Sequence, residues 1–282
     1  MIADLIERVC PSVVPVAYFV DSAPDESNRG PVPHVAGTGF VVDDNGLVAT
    51  CAHVLGEPAT EKQLVVGLRH NSTMAWYAAE TVAVVGEPLL NIEEIRYPDV
   101  GLIRIQPKQA CAVGAKRDGK VVLADGRPAV FGTTMMECDA RQVEVPPLML
   151  GTAKKLRAGD EVVFMGYPMG GSAGKPMEWA QEWHPSFGKV FSSLGLCPSA
   201  TRSIISAVRT AKVFGVADCR VEQFHLLELD SPCNPGNSGG PVLSLISGEV
   251  VGFIAFYTRA LPGTSFAYPI DLVRRVMAGL QP

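Results

Sequence analysis

The segment from Asn234 to Pro241 holds the residues best suited to chemistry, since it reads Asn-Pro-Gly-Asn-Ser-Gly-Gly-Pro. A serine hydroxyl becomes a nucleophile when a base accepts its proton and N–H donors stabilise the oxyanion formed on its carbonyl target. Neighbouring glycines allow the tight turn that aims successive N–H groups inward. The segment predicts a nucleophile at Ser238 and an oxyanion hole along Gly236, Asn237 and Ser238, with Gly236 and Ser238 as donors. A structural Gly-rich turn is the alternative.

The order of residues along the chain separates two kinds of serine hydrolase. Residues 236–240 also fit G-x-S-x-G, the nucleophile turn of α/β-hydrolases, in which the histidine follows the serine. In this chain every histidine precedes Ser238; they are His34, His53, His70, His184 and His225. This order excludes an α/β-hydrolase triad and leaves the order His, Asp, Ser open.

His53 is the candidate general base. It follows the apolar run Leu47–Thr50, at the end of an expected strand, where a rigid element can aim an imidazole. The other histidines lie in polar loop contexts, in an irregular stretch or at the start of a strand. A single histidine is more often structural than catalytic, so the presence of a histidine is weak evidence by itself. The position of His53 at the end of a strand is what favours it over the other four.

A base of this type needs a carboxylate that accepts its Nδ1–H and stabilises the imidazolium. Asp99 begins the apolar run Val100–Ile105, so we expect its carboxylate to be partly buried beside the base. Asp43 and Asp44 are better explained as turn residues, and Asp230 as an acid at a strand end. Asp99 is therefore the predicted partner, with a simple turn former as the alternative.

Short apolar runs separated by turn residues must position these groups. So many short runs indicate a sandwich or a barrel, and helical spacing in Ile2–Val9 and Ile270–Leu280 predicts one helix near each end. Asp21–Ala36 is polar and predicts a surface loop. The predicted strands are Val13–Val20, Gly39–Val42, Gly46–Thr50, Gln63–Leu68, Thr81–Val85, Val100–Ile105, Val121–Leu123, Glu161–Met165, His225–Leu229, Pro241–Leu245 and Val250–Phe256.

Composition excludes several classes of function. A net charge of −5 without a basic block gives no electrostatic footprint for nucleic acid. The seven cysteines are odd in number and lack a C-x-x-C pair. We therefore expect reduced, mostly buried thiols, with no metal and no cofactor. The N-terminus lacks a basic region followed by a long apolar stretch, and no apolar run approaches the roughly 20 residues of a membrane helix, so we expect a cytoplasmic protein without membrane association.

Three motifs in the order His, Asp, Ser resemble the trypsin-like serine peptidases. Residues 50–53, Thr-Cys-Ala-His, resemble T-x-A-H, and residues 99–103 resemble D-(I/L)-A-L-(L/I). Residues 234–241 are very similar to the N-P-G-N-S-G-G-P of the HtrA/Deg branch. Weaker agreement with that branch extends over much of the chain, at Asp4–Val14, Gly159–Gly170, Gly248–Gly252 and Ser265–Pro269.

The resemblance implies an all-β fold of two perpendicular six-stranded antiparallel barrels of the chymotrypsin type, with the triad in the cleft between them. Residues 1–282 would form one peptidase domain. A first lobe at about 1–115 would carry His53 and Asp99, a second at about 150–270 would carry Ser238, and 271–282 would form a C-terminal helix. The implied activity is endopeptidase cleavage of polypeptides through an acyl-enzyme.

The resemblance also implies a substrate pocket beside the nucleophile and a strand that pairs with the substrate backbone. No acid occupies the pocket-floor position, which aligns with Pro232, so a preference for Arg or Lys is disfavoured and a medium apolar side chain is expected. The pocket and strand residues are Pro232, Cys233, Ile254, Ala255 and Phe256.

The chain departs from the HtrA pattern at several places. With residues 1–282 we expect a peptidase domain lacking the PDZ module usual in that branch, and Ala255 stands where many members have Ser or Thr. Gly101 replaces a small Ala, and Pro107–Leu150 and Ser172–Ser199 have no counterpart. These departures keep open a catalytically silent pseudoprotease with a binding or chaperone-like role, and also an esterase on the same barrels. Oligomerisation does not follow from the sequence.

Overall fold

The computed structural model describes residues 2–20, 32–56, 63–70, 73–89, 92–110, 116–117, 120–121, 145–168, 198–214, 221–257 and 263–280. Across these ranges the chain is mostly β-strand, arranged in two closed barrels of six antiparallel strands. The expected all-β architecture with two such barrels, of the chymotrypsin type, is confirmed.

The first barrel closes in the order β1-β2-β3-β6-β5-β4. Its two longest strands, β5 and β6, pair with each other through four irregularities, which bend the pair around the barrel. The strands are β1 (Val13–Val20), β2 (Val32–Val41), β3 (Leu47–Thr50), β4 (Gln63–His70), β5 (Thr73–Leu89) and β6 (Ile92–Ala110). A two-stranded sheet follows, made of β7 (Lys116–Arg117) and β8 (Lys120–Val121).

The second barrel closes in the order β10-β11-β14-β13-β12-β9. Its strands are β9 (Glu161–Gly166), β10 (Ser199–Phe214), β11 (Val221–Leu229), β12 (Pro241–Ser244), β13 (Val250–Tyr257) and β14 (Ser265–Pro269). The helices are α1 (Ile2–Val9), continued by a 3₁₀ turn at Cys10–Ser12, then α2 (Ala52–Leu55) and α3 (Asp271–Gly279). Within the described ranges, no helix combines the length and the apolar character that crossing a membrane requires.

Three strands of the two barrels differ from the sequence predictions. β2 begins at Val32, inside the segment that the sequence assigns to a loop, because Pro33 takes a place opposite Phe19 in the ladder. The predicted strands also lack β10, which pairs with β9 and β11, and β14, which pairs with β11 and β13. The insertions at 107–150 and 172–199 lie for the most part outside the described residues.

The apolar core runs through both barrels. One cluster of buried side chains includes Val16, Phe40 and Leu102 of the first barrel together with Phe253 and Tyr268 of the second. Burial of this apolar surface is the main favourable term in folding. The two barrels therefore share one cluster of buried side chains.

Candidate active site

Strand register brings Asp99 and His53 together. In the antiparallel pair of β3 and β6, Thr50 lies opposite Gly101. Continuing this register by two residues places Asp99 level with Ala52, the first residue of α2. His53 follows directly, so its side chain starts beside the carboxylate.

Two hydrogen bonds join the pair. His53 Nδ1 lies 2.6 Å from Asp99 Oδ2, and the backbone N–H of His53 donates to Asp99 Oδ1 at 2.9 Å. Because an ionised carboxylate only accepts, Nδ1 carries the proton and Nε2 keeps its lone pair. Asp99 is 5% exposed, whereas 35% of the His53 side chain is exposed. The imidazole is thus anchored on its buried side and open on its other side.

Gly101 allows α2 to pack closely on β6. A Cβ at this position would lie 2.7 Å from Leu55 Cδ1 and 3.0 Å from the carbonyl oxygen of Cys51. Both distances are tighter than ordinary van der Waals contact, so an alanine would push the helix that carries His53. Glycine at position 101 therefore has a steric reason in this chain.

The Cys51 thiol lies beside the pair, fully buried. Its Sγ donates to the carbonyl of Ile254 in β13 at 3.3 Å. Burial, followed by the charge of Asp99 and a hydrogen bond to it, raises the pKa of the thiol well above its usual value. The group therefore acts as a neutral donor, with Ile254 and Asp99 as its two possible acceptors.

Cys51, His53 and Asp99 offer ligand atoms within 4.8 Å of one another, so we tested whether they fit a metal ion. Two ligands of a tetrahedral zinc ion stand about 3.3 Å apart at the usual bond lengths. The 2.6 Å between His53 Nδ1 and Asp99 Oδ2 is too short for that and fits a hydrogen bond. A neutral thiol is also a poor ligand. The three residues therefore form a hydrogen-bonded group.

The serine segment is a tight turn between β11 and β12. Gly236 and Gly239 have φ of +96° and +83°, values that favour glycine. Inside the turn the Asn237 N–H donates to the carbonyl of Asn234 at 3.0 Å. In the described part of the chain, no acceptor is found for the N–H groups of Gly236 and Ser238. These two groups are available to a bound oxyanion, whereas that of Asn237 is already used.

Ser238 itself faces β13. Its hydroxyl donates to the carbonyl of Ala255 at 3.4 Å, a long bond, and the hydrogen bonds of the described residues include none between Ser238 Oγ and His53. Its loop still packs closely on the first barrel. A Cβ at Gly239 would lie 2.2 Å from the carbonyl oxygen of Thr38 and 3.0 Å from the N of Cys51. The structure therefore joins His53 with Asp99 and sets the turn of Ser238 against the strand that leads to His53.

The predicted pocket residues lie on both sides of this turn. Cys233 is buried, and its burial raises the pKa of the thiol to about 11, partly offset by a hydrogen bond with Ser265. Pro232 is exposed, Ala255 is buried, and Phe256 stacks on a neighbouring ring of β14 at 5.1 Å. Ile254, also buried, accepts from Gly239 N–H at 2.7 Å in addition to the Cys51 thiol.

The rejected candidates have other roles where they are described. Asp43 accepts the N–H groups of Asn45 and Leu47 and so closes the hairpin turn. His225 is exposed on β11 and bonds to Thr210. The side chains of the remaining histidines, His34, His70 and His184, lie outside the described residues.

Thr38 is a residue of this site that the sequence reasoning missed. Fully buried in β2, it donates through its N–H to the carbonyl of Ser238 at 2.8 Å and through its hydroxyl to that of Gly236 at 2.6 Å. The segment Gly37-Thr38-Gly39, a threonine between two glycines in an apolar strand, was the available signal.

Comparison with known proteins gives one family and one fold. Residues 37–253 match the model of the trypsin-like peptidase domain, well over half of the chain. The chain is 27% identical over 278 residues to Serine protease HTR4 of Rattus norvegicus and 28% identical over 278 residues to Serine protease HTRA1 of Xenopus laevis. These alignments cover 98% of the chain but 40% and 42% of the relatives, so the chain spans about two fifths of their length.

A solved structure, "HtrA-type protease AlgW with decapeptide", superimposes with a TM-score of 0.60 at 18% identity. The match covers 99% of this chain and 67% of that chain, and it shows the fold. The curated relatives and the solved structure are all HtrA-type, as the serine motif indicated. The two barrels, the order of the motifs and the extent of the match together show that this chain belongs to the family of trypsin-like peptidase domains.

Proposed function

We propose that the chain is a serine endopeptidase in which Ser238 attacks the peptide carbonyl, His53 acts as general base and Asp99 orients it. The observation that carries the proposal is the 2.6 Å contact between His53 Nδ1 and Asp99 Oδ2 beside the turn of Ser238. It gives His53 the tautomer whose Nε2 can accept a proton. The membership in the trypsin-like peptidases supports the same reaction class.

The proposed reaction has two steps. In the first, His53 Nε2 takes the proton of Ser238 as Oγ bonds to the carbonyl carbon, and the oxyanion is stabilised by Gly236 N–H and Ser238 N–H. The amine leaves with the proton from His53, which gives the acyl-enzyme. In the second, His53 takes a proton from water as the water oxygen bonds to the acyl carbon, and the bond from that carbon to Ser238 Oγ then breaks while Oγ takes the proton back from His53, which releases the acid. The proposal requires the Ser238 hydroxyl to leave the carbonyl of Ala255 and donate to His53 Nε2 instead.

The substrate is proposed to be a polypeptide that pairs with β13. On the side facing β12, the ladder of β13 ends at the pair of Pro241 with Phe253. Beyond it, Ile254 bonds to the serine turn, and the described residues offer no strand partner on that side for Phe256. This free edge suits strand addition. A medium apolar side chain is proposed for the pocket, because Cys233 is neutral and Asp230 is exposed and bonded elsewhere.

A catalytically silent protein that binds polypeptides is the second candidate. One observation favours it: Ser238 Oγ bonds to Ala255 rather than to His53. In such a protein the hydroxyl would keep this bond, and the turn would bind substrate without attacking it.

Labelling by a fluorophosphonate separates the two candidates, because the probe reacts when an activated serine oxygen displaces fluoride from phosphorus. The purified protein is incubated with the probe, and the modified peptide is mapped by mass spectrometry. A peptidase is expected to carry the label at Ser238, with loss of labelling in Ser238→Ala and a large decrease in His53→Ala.

Ser206→Ala is the matched control, since Ser206 is an exposed serine on β10 that bonds to the carbonyl of Glu228. It is expected to label like the wild type. Absence of labelling in the folded wild type would favour the silent protein, and labelling that persists in Ser238→Ala would disprove the assignment of the nucleophile. Turnover of peptide and ester substrates is then measured with wild-type protein that has not been treated with the probe. This comparison distinguishes a peptidase from an esterase.

A further inference from the structure

Thr38 is the residue through which the first barrel holds the turn of Ser238. Its N–H donates to the carbonyl of Ser238 at 2.8 Å, and its own carbonyl accepts the hydroxyl of Thr50 at 2.7 Å. The residue opposite Thr38 in β1 is Pro15, which has no N–H to donate. The N–H and the carbonyl of Thr38 are thus bonded to Ser238 and Thr50 and not to the neighbouring strand β1.

The Thr38 hydroxyl also bonds to the second barrel. It donates to the carbonyl of Gly236 at 2.6 Å and accepts the N–H of Tyr167 at 2.9 Å. The side chain is fully buried, where a polar group without partners would be costly. This hydroxyl uses its one donor and one of its two acceptor positions. It therefore connects β2 with the serine turn and with the end of β9.

These contacts fix the peptide plane between Gly236 and Asn237. Its carbonyl points to Thr38 Oγ1, and its N–H donates to the carbonyl of Asn234. This plane lies between the N–H groups of Gly236 and Ser238, for which the described residues contain no acceptor. Since the φ of Gly236 is +96°, a region with little steric restraint on glycine, an outside contact must hold the plane in place.

We infer that Thr38 is a positioning residue for the oxyanion hole: its hydroxyl holds the Gly236 carbonyl, so that the N–H groups of Gly236 and Ser238 converge on one point. The inference rests on the proposed peptidase function. It also means that the barrel that provides His53 orients the oxyanion donors of the other barrel.

Thr38→Val and Thr38→Ser separate this role from simple packing. Valine has nearly the shape of threonine but leaves Gly236 O and Tyr167 N–H without their partner, whereas serine keeps the hydroxyl. Ser12→Ala is the matched control, because Ser12 is an equally buried hydroxyl that donates to a carbonyl, that of Pro146 at 2.5 Å, away from the turn.

The first measurement is amide hydrogen exchange of residues 236–240, which does not depend on activity. Thr38→Val is expected to exchange these amides about tenfold faster or more than the wild type, while Thr38→Ser and Ser12→Ala stay within about threefold. Equal protection in Thr38→Val and in the wild type would overturn the inference. If Thr38→Val does not fold, Thr38→Ala removes the same hydroxyl without adding bulk and takes its place.

The second measurement is the rate of labelling by a fluorophosphonate at several probe concentrations. In Thr38→Val the maximal rate is expected to fall about 10- to 100-fold with the half-saturating concentration nearly unchanged, because the oxyanion donors act in the transition state. Thr38→Ser is expected to recover most of the rate. An unchanged maximal rate in folded Thr38→Val would overturn the inference.

The two measurements also tell apart the failure of the inference and that of the proposed function. Wild type that is not labelled disproves the function, and the exchange data still decide whether the hydroxyl holds the turn. Wild type that is labelled, with Thr38→Val equally protected and equally fast, leaves the function standing and disproves the role of Thr38.

Discussion

Asp99 receives two hydrogen bonds from His53 and has the neutral Cys51 thiol beside it. The thiol, which bonds to Ile254 and reaches Asp99, is the side-chain donor that remains nearby in the described residues. A buried polar group is costly without hydrogen-bond partners, so we expect the thiol to support the pair through its hydrogen bond as well as by packing.

Replacement of Cys51 tests this role. Cys51→Ala is expected to lower kcat/KM about tenfold, which corresponds to about 1.4 kcal/mol of lost stabilisation. Most of the loss should appear in kcat, since substrate does not contact the buried thiol. The measurement is steady-state kinetics with a peptide substrate, together with the far-downfield proton resonance of the bond between His53 and Asp99.

Cys51→Ser and Cys51→Val are the controls. Serine keeps a donor and is expected to recover kcat/KM to within about threefold, whereas valine has a similar volume without a donor and should behave like alanine. A fully active Cys51→Val with an unchanged resonance would show that the thiol contributes packing alone.

For single residues, the sequence indicates candidate site residues more readily than it indicates which residues contact them. His53, Asp99 and Ser238 are candidates because each stands in a local motif next to an apolar run, and their catalytic roles stay predictions. Thr38 and Cys51 were not found, because their partners lie in the other barrel, 198 and 203 residues away for the bonds to Gly236 and Ile254. No local pattern records such a contact.

At the scale of elements, β10 shows why part of the fold escaped prediction. Along this strand Ser203 and Ile205 are buried while Ile204, Ser206 and Val208 are exposed. Burial therefore alternates as in a strand with one solvent-exposed face. The hydrophobicity of the side chains does not alternate, because the buried Ser203 is polar and the exposed Ile204 and Val208 are apolar. The pairing with β9 and β11, and not the side-chain pattern, defines the strand.

Asp230 ties the end of β11 to β10 just before the serine turn. The N–H of Ile204, and then the hydroxyl of Ser203, lower the pKa of Asp230 below its usual 3.8. A carboxyl whose pKa is lower in the folded than in the unfolded state stabilises the fold above its unfolded pKa, and this stabilisation is lost as the pH falls through the folded pKa. It is therefore complete at neutral pH.

Asp230→Asn is expected to lower the midpoint of thermal unfolding at pH 7 by a small amount, about 1–3 °C, because the carboxyl is largely exposed. The difference from wild type should fade below pH 3.8, where both side chains become neutral. Thermal unfolding followed by circular dichroism at pH 7, 5 and 3 provides the measurement. A difference that grows as the pH falls would contradict the assigned sign.

Gly239 sets how closely the serine turn approaches the first barrel. Its φ is +83°, and a Cβ would lie 2.2 Å from Thr38 O and 2.3 Å from Thr50 Oγ1. Gly239→Ala is therefore expected to push the turn off β2 and reduce the labelling of Ser238 by a fluorophosphonate about 100-fold or more. Gly159→Ala is the matched control, since Gly159 has a φ of +95° and open space around its Cβ.

The control separates steric contact from backbone strain. Both substitutions place alanine at positive φ and should cost about 1–2 kcal/mol of stability for that reason. Only the clash at Gly239 is expected to affect labelling. Equal labelling of the two folded variants would show that the turn does not need its close approach to Thr38.

At the scale of the whole molecule, residues 145–153 hold the two barrels and the last helix together. Leu148 N–H donates to the carbonyl of Val41 in β2 at 2.9 Å, and Leu150 forms a parallel bridge with Val250 of β13. Asp271, at the start of α3, accepts the hydroxyl of Thr152 and the N–H of Ala153, each at 2.9 Å. The segment therefore bonds to each barrel and to α3.

This arrangement predicts that the barrels unfold together. The core cluster passes from one barrel to the other, and the bonds of Thr38 and of the segment 145–153 break when either barrel opens. Separate unfolding would expose apolar surface shared by both. We expect a single calorimetric transition whose van't Hoff and calorimetric enthalpies agree.

Asp271→Asn tests the coupling from a site far from the serine turn. The loss of charge weakens two bonds to residues 152–153, so the midpoint of unfolding should fall by about 2–4 °C for each kcal/mol lost. Because α3 contacts β6 of the first barrel and β14 of the second, and the segment bonds to both barrels, the whole transition should shift without splitting. Fluorophosphonate labelling at 25 °C should stay within twofold of the wild type. Arg274→Ala, which removes the bond from Nε to the carbonyl of Gly151, is expected to give the same single, shifted transition. Two transitions in scanning calorimetry, one of them at the wild-type temperature, would show that each barrel is stable alone. The contacts of residues 145–153 would then be consequences of the fold and would not hold the barrels together.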